Sequence, residues 1–360
     1  MVICLVSGAL PFVRCGVGDY VDQLASAFSR AGHQVVVVTT ANANVTGSGP
    51  YRVVQIQTDW AFADTPRIAA SVRRLGPDVV DVQYPGVGLK RGFAATLLAG
   101  ALRLTGYRGR LVTTLHEFDS LSSRQRLRIA IGAAAGDVVL APDERILRSI
   151  RRYTWWRFGL RRARIELGSN VLPTETGEVR HLNRTEDELV VGYWGFLRPD
   201  KGVDVLLDAF ALVRARRAAR LVVAGNPGDD AEYRAALDRH IADLGLRDDV
   251  LFTGDLPMEE LSSTLRAFDV CALPYRDGVA PNRGTYVTAV AHGLYVVTTS
   301  REHSGFDAAT NTAFVPPGDA VALAEAIVAA SDHPRVAPTS DGQHRWDEIA
   351  AARLGLYARG

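Results

Sequence analysis

A glycine-rich turn in the second half of the chain combines the residue types that bind a phosphate group. The stretch Gly192–Gly202, GYWGFLRPDKG, reads as a buried strand, a glycine turn and a Lys-Gly pair at the start of a long helix. Such a turn directs unpaired backbone N–H groups and the Lys201 ammonium at a bound anion. The pattern predicts a diphosphate site in the second half of the chain.

A second glycine turn, Gly16–Gly18, follows the first predicted strand. A dinucleotide-binding fingerprint needs a third small residue and an acid at the end of the second strand. Val21 occupies the third glycine position and the second strand ends in two threonines, which disfavours a nicotinamide cofactor. Two interpretations stay open: a tight turn that only joins strand to helix, or a loop that lets a ligand approach the backbone, with Asp19 at the helix entrance.

A single histidine, His116, follows directly on the apolar run Leu111–Leu115. Open α/β sheets bind ligands at the carboxyl ends of their strands, so a functional role and a structural role are both open for this ring. The nearby acids Glu117 and Asp119 either fix its tautomer or are solvated loop residues.

Several motifs that define other enzyme classes are absent from the sequence. It contains no GxxxxGK[ST] loop, no HExxH pair, no Cys-x-x-Cys and no convincing Asp-x-Asp pair. We therefore expect neither a P-loop nucleotide triphosphatase nor a metal site. Cys4, Cys15 and Cys271 are spaced for neither zinc nor a disulfide framework, which favours a reducing cytoplasm.

The composition is that of a globular protein. Of 360 residues, 47% are hydrophobic and 22% are charged, and the formal net charge is +1, so no global field favours nucleic acid. The apolar N-terminal stretch is interpreted as a first strand and not as a signal peptide, because it lacks a basic leader. No run reaches the roughly 18 apolar residues that would span a bilayer.

These residues must be positioned by the predicted elements, which alternate between strand and helix along the chain. Such alternation is typical of βαβ units and parallel sheets. In the first helix, apolar residues from Tyr20 to Phe28 form one stripe, and Gly32 stands where a helix stop belongs. The strands predicted in the first half are Val2–Ser7, Gln34–Thr39, Val53–Ile56, Val79–Gln83, Leu111–Leu115 and Val138–Ala141.

The second half repeats this plan. Its predicted strands are Leu189–Tyr193, Arg220–Ala224, Val250–Thr253, Val270–Leu273 and Tyr295–Thr299, and its predicted helices are Val203–Arg214, Ala231–Leu244, Glu259–Ala267 and Thr285–His292. The segment between the halves is poor in apolar residues and predicts a linker. We therefore expect a first domain at 1–168, a linker at 169–183, a second domain at 184–340, and an amphipathic helix within 341–360 that packs back on the first domain.

Segments along nearly the whole chain resemble the retaining, nucleotide-sugar-dependent glycosyltransferases of family 4. In order, the matching segments are GVGDY, AGHQVVVVTT, PDVVDVQ, His116 after a strand, GSN, GFLRPDKG, LVVAG, VLFTGDLP, DVCALPYRDG, AVAHGLYVVTT, VPPGD and RWDEIA. Each match alone is weak, but together and in this order they are specific. The resemblance implies an α/β fold of two Rossmann-like domains facing a cleft, the GT-B fold.

The resemblance also implies roles for individual residues. Lys201 corresponds to the lysine that neutralises the donor's diphosphate, and Gly202 opens the helix beneath it. Gly16 and Gly18 correspond to a loop that lines the acceptor and the donor sugar, and His116 to a histidine close to the transferred sugar. A fixed cation and helix N–H donors stabilise the charge that develops on the leaving diphosphate, without a metal.

The chain departs from the family where the nucleotide ribose is usually held. A spaced pair of glutamates is replaced by Ala280 and Thr288, and Phe196 stands where an arginine commonly follows the turn glycine, with Arg198 as its substitute. In the segment YRDGVAPNRGT, Arg283 precedes a helix start and is predicted as a second cationic clamp. A surface salt bridge is the alternative interpretation of this arginine.

The predicted site residues fall into three groups. Catalytic roles are assigned to Asp19, His116 and Lys201. Donor binding is assigned to Gly16, Gly18, Phe196, Arg198, Lys201, Gly202, Asp277, Gly278, Arg283, Gly284, Thr285 and Thr288, and acceptor binding to Arg14, Tyr84 and Glu117. Either Asp277, Asn282 and Thr288 replace the contacts of the missing glutamates, or the donor is atypical.

The segment Arg145–Arg164 contains eight arginines, no acid, and the pair Trp155-Trp156. A basic segment with interfacial aromatic residues fits anionic lipid or a phosphorylated acceptor. The interpretation favoured by the sequence is a solvated helix whose tryptophans cover the core between the domains.

Taken together, these features predict a cytoplasmic transferase that moves a sugar from a nucleoside diphosphate donor to a small-molecule, glycan or lipid-linked acceptor, with retention and without a metal or cofactor. Two alternatives stay open: another GT-B enzyme, an epimerase or phosphorylase, and a catalytically silent sugar-nucleotide-binding protein. With only Lys90 and Lys201 as lysines, a pyridoxal phosphate enzyme is disfavoured. The sequence does not specify the oligomeric state.

Overall fold

The computed structural model describes residues 1–10, 15–41, 49–84, 92–174, 187–225, 230–330, 333, 336 and 342–358. The chain divides into two compact units. Unit 1 comprises Met1–Asn170 and Gln343–Gly360, and unit 2 comprises Val171–Gly342. Most of the segment predicted as a linker, from 175 onward, lies outside the described residues.

Unit 1 is built on a parallel sheet of seven strands, and helices lie in most of the connections between them. The strands are β1 (Val2–Val6), β2 (Gln34–Thr40), β3 (Arg52–Ile56), β4 (Val79–Tyr84), β5 (Arg110–Leu115), β6 (Val138–Ala141) and β7 (Arg161–Arg164). The helices are α1 (Gly16–Arg30), α2 (Thr65–Arg74), α3 (Ala94–Leu104), α4 (Ser123–Ala134) and α5 (Glu144–Tyr153). The strand order is β3-β2-β1-β4-β5-β6-β7.

Unit 2 repeats this architecture with one antiparallel edge strand. Its strands are β8 (Leu189–Trp194), β9 (Ala219–Ala224), β10 (Val250–Gly254), β11 (Val270–Leu273), β12 (Tyr295–Thr299), β13 (Gly305–Asp307) and β14 (Thr312–Val315). Its helices are α6 (Val203–Arg214), α7 (Ala231–Asp243), α8 (Met258–Arg266), α9 (Gly284–Ala291) and α10 (Ala320–Ala330). The strand order is β10-β9-β8-β11-β12-β14-β13, with β13 antiparallel to β14.

The α/β fold predicted from the sequence is confirmed, and the strands predicted in both halves and the four helices predicted in the second half match the observed bounds within one residue at each end. The central strands β1 and β2 are runs of mostly β-branched residues buried on both faces, as parallel strands covered by helices require. The sequence did not predict β7, β13 or β14. β7 reads RRAR, which carries no apolar pattern, because it is an edge strand with partly exposed side chains.

The last helix, α11 (Gly342–Ala358), is fixed to unit 1 by a buried polar network. The Arg353 guanidinium donates to the Asp81 carboxylate of β4 at 2.9 Å and to the Tyr20 hydroxyl of α1 at 2.7 Å. The hydroxyls of Thr114 and Tyr357 donate to the same carboxylate at 2.8 and 2.6 Å. Since both charges of the pair are fully buried, each depends on the other for compensation.

The expectation for Trp155 and Trp156 is wrong, because these side chains cover no core. They are 71% and 50% exposed. Helix α5 ends at Tyr153, and Leu160 is the residue of the following loop that enters the core of unit 1.

Among the described residues, no helix combines the length and the apolar character needed to cross a bilayer.

Candidate functional site

The strongest candidate site in unit 2 lies where two adjacent central strands end. Strands β8 and β11 are hydrogen-bonded neighbours, and the chain leaves them toward opposite edges of the sheet. Such a switch point opens a crevice at the carboxyl ends of the strands, which is where open α/β sheets bind ligands. The loops that follow, 195–202 and 274–283, contain most of the predicted donor-binding residues.

Gly202 allows these two loops to meet. Its φ of 71° is left-handed, and a Cβ added there would stand 2.1 Å from the carbonyl oxygen of Pro274. Only glycine therefore fits at the start of α6. From the other loop, the Arg276 amide donates to the carbonyl oxygen of Asp200 at 3.1 Å. These contacts hold residues 200–202 beside the end of β11.

The cluster at this switch point gathers three cations around one carboxylate. The Arg198 guanidinium donates two hydrogen bonds of 2.9 Å to Asp200. Lys201 Nζ lies 3.5 Å and Arg283 Nη1 lies 3.8 Å from the same Asp200 oxygen. Arg283 also donates to Asp277 at 2.5 and 2.6 Å. Three positive charges thus face two negative ones, which leaves the cluster with excess positive charge.

Lys201 and Arg283 are the buried members of this cluster, with side chains 13% and 17% exposed. Both pack against one ring: Lys201 Nζ is 5.3 Å and Arg283 Cζ is 4.9 Å from the centroid of Tyr275. The Tyr275 hydroxyl lies 2.5 Å from the Thr285 hydroxyl in the first turn of α9. The ring and this hydrogen bond keep the two cations together, at the helix start where an anion is favoured.

The pKa shifts of Lys201 and Asp200 show that the cluster lacks negative charge. Burial, reinforced by the charge of Arg283, lowers the pKa of Lys201 to about 8. Partial burial opposes ionisation of Asp200, but the Arg198 hydrogen bonds and the nearby cations lower its pKa below its usual value. The carboxylate therefore stays charged, yet it does not fully compensate the lysine. A polyanion bound here would supply the missing negative charge.

Arg283 has an unused donor that a ligand could satisfy. Arg283 Nε is buried and has no hydrogen-bond partner within the described part of the chain. A buried N–H group without a partner costs free energy, and a ligand oxygen would remove that cost. The alternative interpretation of Arg283, a surface salt bridge, accounts for its contact with the exposed Asp277, so the clamp stays a prediction.

The other residues predicted to bind the donor lie around this cluster at different depths. Phe196 is exposed, and its carbonyl oxygen accepts from the Tyr193 hydroxyl at 3.0 Å. Gly278 is buried and has a φ of 87°. Gly284 is the first residue of α9, and a Cβ added there would meet no atom within 4 Å. Thr288 is fully buried inside α9. A contact from its hydroxyl to a bound nucleotide stays a prediction.

In unit 1 the predicted glycine loop is partly described, and it is packed closely. A Cβ at Gly18 would stand 3.1 Å from the backbone of Leu10, so α1 approaches the loop after β1 at backbone distance. Gly16 is exposed, and its carbonyl oxygen accepts from Asn170 at 3.1 Å. Asp19 is half-buried in the first turn of α1. Close packing explains Gly18 alone, and ligand roles for Gly16 and Asp19 stay predictions.

His116 lies where the sequence places it, at the carboxyl end of β5, and it is buried. Its Nε2 lies 3.0 Å from the Gln83 amide oxygen, within hydrogen-bonding distance. Burial, and then the nearby Arg353 charge, lower its pKa to about 3. The ring is therefore neutral at physiological pH and can serve a ligand as a hydrogen-bonding group but not as a cation.

The residues predicted to bind the acceptor are placed near this histidine or lie outside the described residues. The backbone amide of His116 donates to the carbonyl oxygen of Tyr84 at 2.8 Å. The Tyr84 hydroxyl accepts from Arg128 at 3.1 Å, and burial raises the pKa of this tyrosine. Glu117 is half-buried and accepts from a loop serine. Arg14 lies outside the described residues.

The sequence prediction missed four residues that complete these sites: Asp200, Tyr275, Gln83 and Arg353. Asp200 and Tyr275 stand within segments that the prediction used, so their positions beside Lys201 and Arg283 gave a signal. Gln83 ends a predicted strand next to a predicted acceptor residue. Nothing near Arg353 in the sequence indicates its contact with Asp81, because 272 positions separate them.

Two family models match the chain, one in each half. Residues 15–175 match the model described as Glycosyltransferase Family 4, and residues 188–333 match the model described as Glycosyl transferases group 1. A curated relative, a D-inositol 3-phosphate glycosyltransferase of Stackebrandtia nassauensis, is 35% identical over 139 residues, which are 35% of this chain and 31% of that protein. The chain thus aligns with about a third of that relative's length.

Solved structures resemble the chain over nearly its full length. Sucrose-phosphate synthase from Thermosynechococcus elongatus superposes with a TM-score of 0.72 at 21% identity, covering 99% of this chain and 98% of that one. HepE from Anabaena, solved in complex with UDP and glucose, superposes with a TM-score of 0.69 at 20% identity, covering 98% and 95%. At these identities the likeness shows the fold, and it is the two-domain α/β fold that the sequence predicts.

Proposed function

Because this chain belongs to the family 4 glycosyltransferases and has the GT-B fold, we propose that it transfers a sugar from a nucleoside diphosphate sugar to an acceptor. Unit 2 binds the donor's diphosphate through Lys201 and Arg283, and unit 1 binds the acceptor near His116. The observation that carries this proposal is the pair of buried cations beside one shared carboxylate, at the switch point of the second sheet.

In this proposal the two cations act on the leaving group. When the bond between the sugar and the diphosphate breaks, negative charge grows on the phosphate oxygens. Lys201, Arg283 and the amides at the start of α6 are already in place, so they stabilise this charge without reorganisation. The proposal requires neither a metal nor a cofactor, and it assigns the acceptor's proton to the departing diphosphate, with retention of configuration at the transferred carbon.

The neutral His116 has a limited role in this mechanism. With a pKa of about 3 it is no proton donor at neutral pH, and it carries no charge to stabilise an anion. We propose that it hydrogen-bonds a hydroxyl of the transferred sugar. HepE, whose structure contains UDP and glucose, supports a nucleotide and a hexose as the ligand classes to try first.

A panel of nucleotide sugars tests the proposal. We expect one class among UDP, GDP, dTDP and ADP sugars to raise the melting temperature, since a ligand at 100 times its Kd adds about 2.7 kcal/mol of stability. The same donor should be hydrolysed slowly without an acceptor, and Lys201→Ala should lower kcat by about 10²–10³. Arg239→Ala, which removes an exposed cation of α7, is the matched control.

Two results would count against the proposal. Unchanged turnover in Lys201→Ala would remove the lysine from the reaction. A donor that stabilises the protein but is never hydrolysed or transferred, for any acceptor tried, would favour a sugar-nucleotide-binding protein without catalysis.

A further inference from the structure

The loop that follows α5 presents three aromatic side chains to solvent. Trp155 and Trp156 are largely exposed, and Phe158 is 91% exposed. Aromatic side chains of this size are rarely exposed together, because burying each ring would release a large hydrophobic free energy. A surface that presents three of them within four residues indicates something that covers them.

Hydrogen bonds hold this loop in one conformation. The Thr154 amide and hydroxyl both donate to the carbonyl oxygen of Ile150. Arg162 donates to the carbonyl oxygen and the hydroxyl of Thr154 at 2.8 and 2.7 Å, and to the carbonyl oxygen of Leu160 at 2.8 Å. Since Leu160 is buried in the core of unit 1, the loop is anchored at both ends. The exposure of its aromatic residues is therefore built into the fold.

Exposed cations lie on the helix that leads into this loop. On α5, Arg148, Arg151 and Arg152 are exposed on the side opposite the buried Ile146 and Ile150. No carboxylate in the described part of the chain forms an ion pair with these three arginines, whereas other exposed arginines, such as Arg30 on α1, have one. The stretch 145–164 contains no acid at all.

The neighbouring helix α4 also carries exposed apolar side chains. Arg157 Nε, within the loop, donates to the carbonyl oxygen of Ala134 at 3.0 Å, at the end of α4. Leu127 and Ile131, one helical turn apart on α4, are both more than half exposed. We define the aromatic-arginine surface as Arg148, Arg151, Arg152, Trp155, Trp156 and Phe158, and we count the exposed Leu127 and Ile131 of α4 with it.

We propose that the aromatic-arginine surface docks unit 1 on an anionic lipid bilayer. Tryptophan places its apolar ring among the acyl chains and its N–H at the headgroups, and phenyl and aliphatic groups gain free energy on entering the hydrocarbon. Exposed arginines are attracted to acidic headgroups. A second copy of the chain fits this surface poorly, because it would bring like charges together. The proposal is independent of the sugar-transfer proposal, because none of the residues of this surface is assigned a role in binding the donor or the acceptor.

Vesicle sedimentation tests the charge of this surface. We expect the protein to sediment with vesicles of phosphatidylcholine and phosphatidylglycerol, to sediment less in high salt, and to stay in solution with phosphatidylcholine alone. The triple variant Arg148→Gln, Arg151→Gln, Arg152→Gln should lower the partition coefficient roughly a hundredfold, since each arginine near such a surface contributes about a factor of five. The matched control replaces three exposed arginines of unit 2 by glutamine: Arg216, Arg239 and Arg247.

Fluorescence tests the aromatic residues separately. Trp155 and Trp156 should shift their emission to shorter wavelength on anionic vesicles, whereas Trp60 and Trp346 are buried and should not respond. The variant Trp155→Phe, Trp156→Phe should keep sedimentation but lose the shift. Replacing both tryptophans and Phe158 by serine should abolish sedimentation and leave the circular dichroism spectrum and melting temperature unchanged.

Three outcomes would overturn the proposal. The first is no sedimentation with anionic vesicles at low salt. The second is equal sedimentation of the arginine variant and its unit 2 control. The third is a different occupant: a dimer, or a complex with a single-stranded oligonucleotide, that forms in the wild type without vesicle binding and is lost in the serine variant.

Discussion

The charge state of Lys201 should make diphosphate binding depend on pH in the mildly alkaline range. Burial and the neighbouring Arg283 lower the pKa of the lysine from its ordinary value of 10.5 to about 8 in the free protein. The ammonium is therefore present below pH 8 and lost above it. Because only the charged form attracts phosphate oxygens, the affinity for a nucleoside diphosphate should fall as the pH rises through 8.

The size of the effect follows from the titration. One pH unit above the pKa, about a tenth of the molecules carry the charge, so the apparent Kd should rise roughly tenfold per unit, or about 1.4 kcal/mol. An exposed lysine near its ordinary pKa would show no such change below pH 9.5. The terminal phosphate of the ligand titrates near pH 6 and does not interfere above pH 7.

Isothermal titration calorimetry between pH 7 and 9.5, at constant ionic strength, measures this dependence. Lys201→Arg is the informative variant, because a guanidinium stays charged throughout this range. Its Kd should be flat where that of the wild type rises. A wild-type Kd that is constant to pH 9.5, or an equal rise in both proteins, would refute the assignment of Lys201 as the titrating diphosphate ligand.

Three further perturbations have expected outcomes. Gly202→Ala should lower the free energy of unfolding by at least 2 kcal/mol more than Gly245→Ala does. Both glycines have a φ near 70°, but only at Gly202 would a Cβ press against a carbonyl oxygen. Equal losses in denaturant titrations would contradict this. Arg353→Met should cost about 3–5 kcal/mol by leaving Asp81 buried and unpaired, and the added change Asp81→Asn should restore part of it; a single variant as stable as wild type would contradict the buried pair. Asp277→Asn should tighten inorganic pyrophosphate binding about two- to fivefold by freeing the guanidinium that it pairs with, and weaker binding in calorimetry would show that this acid supports the site.

The sequence predicts the central sheets well because their strands have a simple physical signature. In β2, QVVVVTT, uninterrupted β-branched residues can only be a buried strand. The edge strands lack that signature. In β7, RRAR, three residues are partly exposed and the fourth is exposed, so the strand carries no apolar run. Short edge strands such as β13, with three residues, depend on a partner that the local sequence does not reveal.

The candidate site also contains residues that a local sequence pattern predicts and contacts that depend on the tertiary fold. Lys201 and Gly202 are predictable, because a turn between a buried strand and a helix carries a local pattern. Arg283 is predictable as a cation at a helix start. Its contact with Asp200 is not, because it depends on β8 and β11 becoming neighbours in the sheet. The exposure of Trp155 could not be foreseen either, since the sequence does not show that Leu160 takes the core position.

The central claim is that Lys201 and Arg283 bind the diphosphate of a nucleotide at the end of β8 and β11. A crystal structure of the protein with a bound nucleoside diphosphate tests it most directly. We predict phosphate oxygens within hydrogen-bonding distance of Lys201 Nζ and of the Arg283 guanidinium. A nucleotide bound elsewhere, with both cations still held by Asp200 and Asp277 alone, would contradict it.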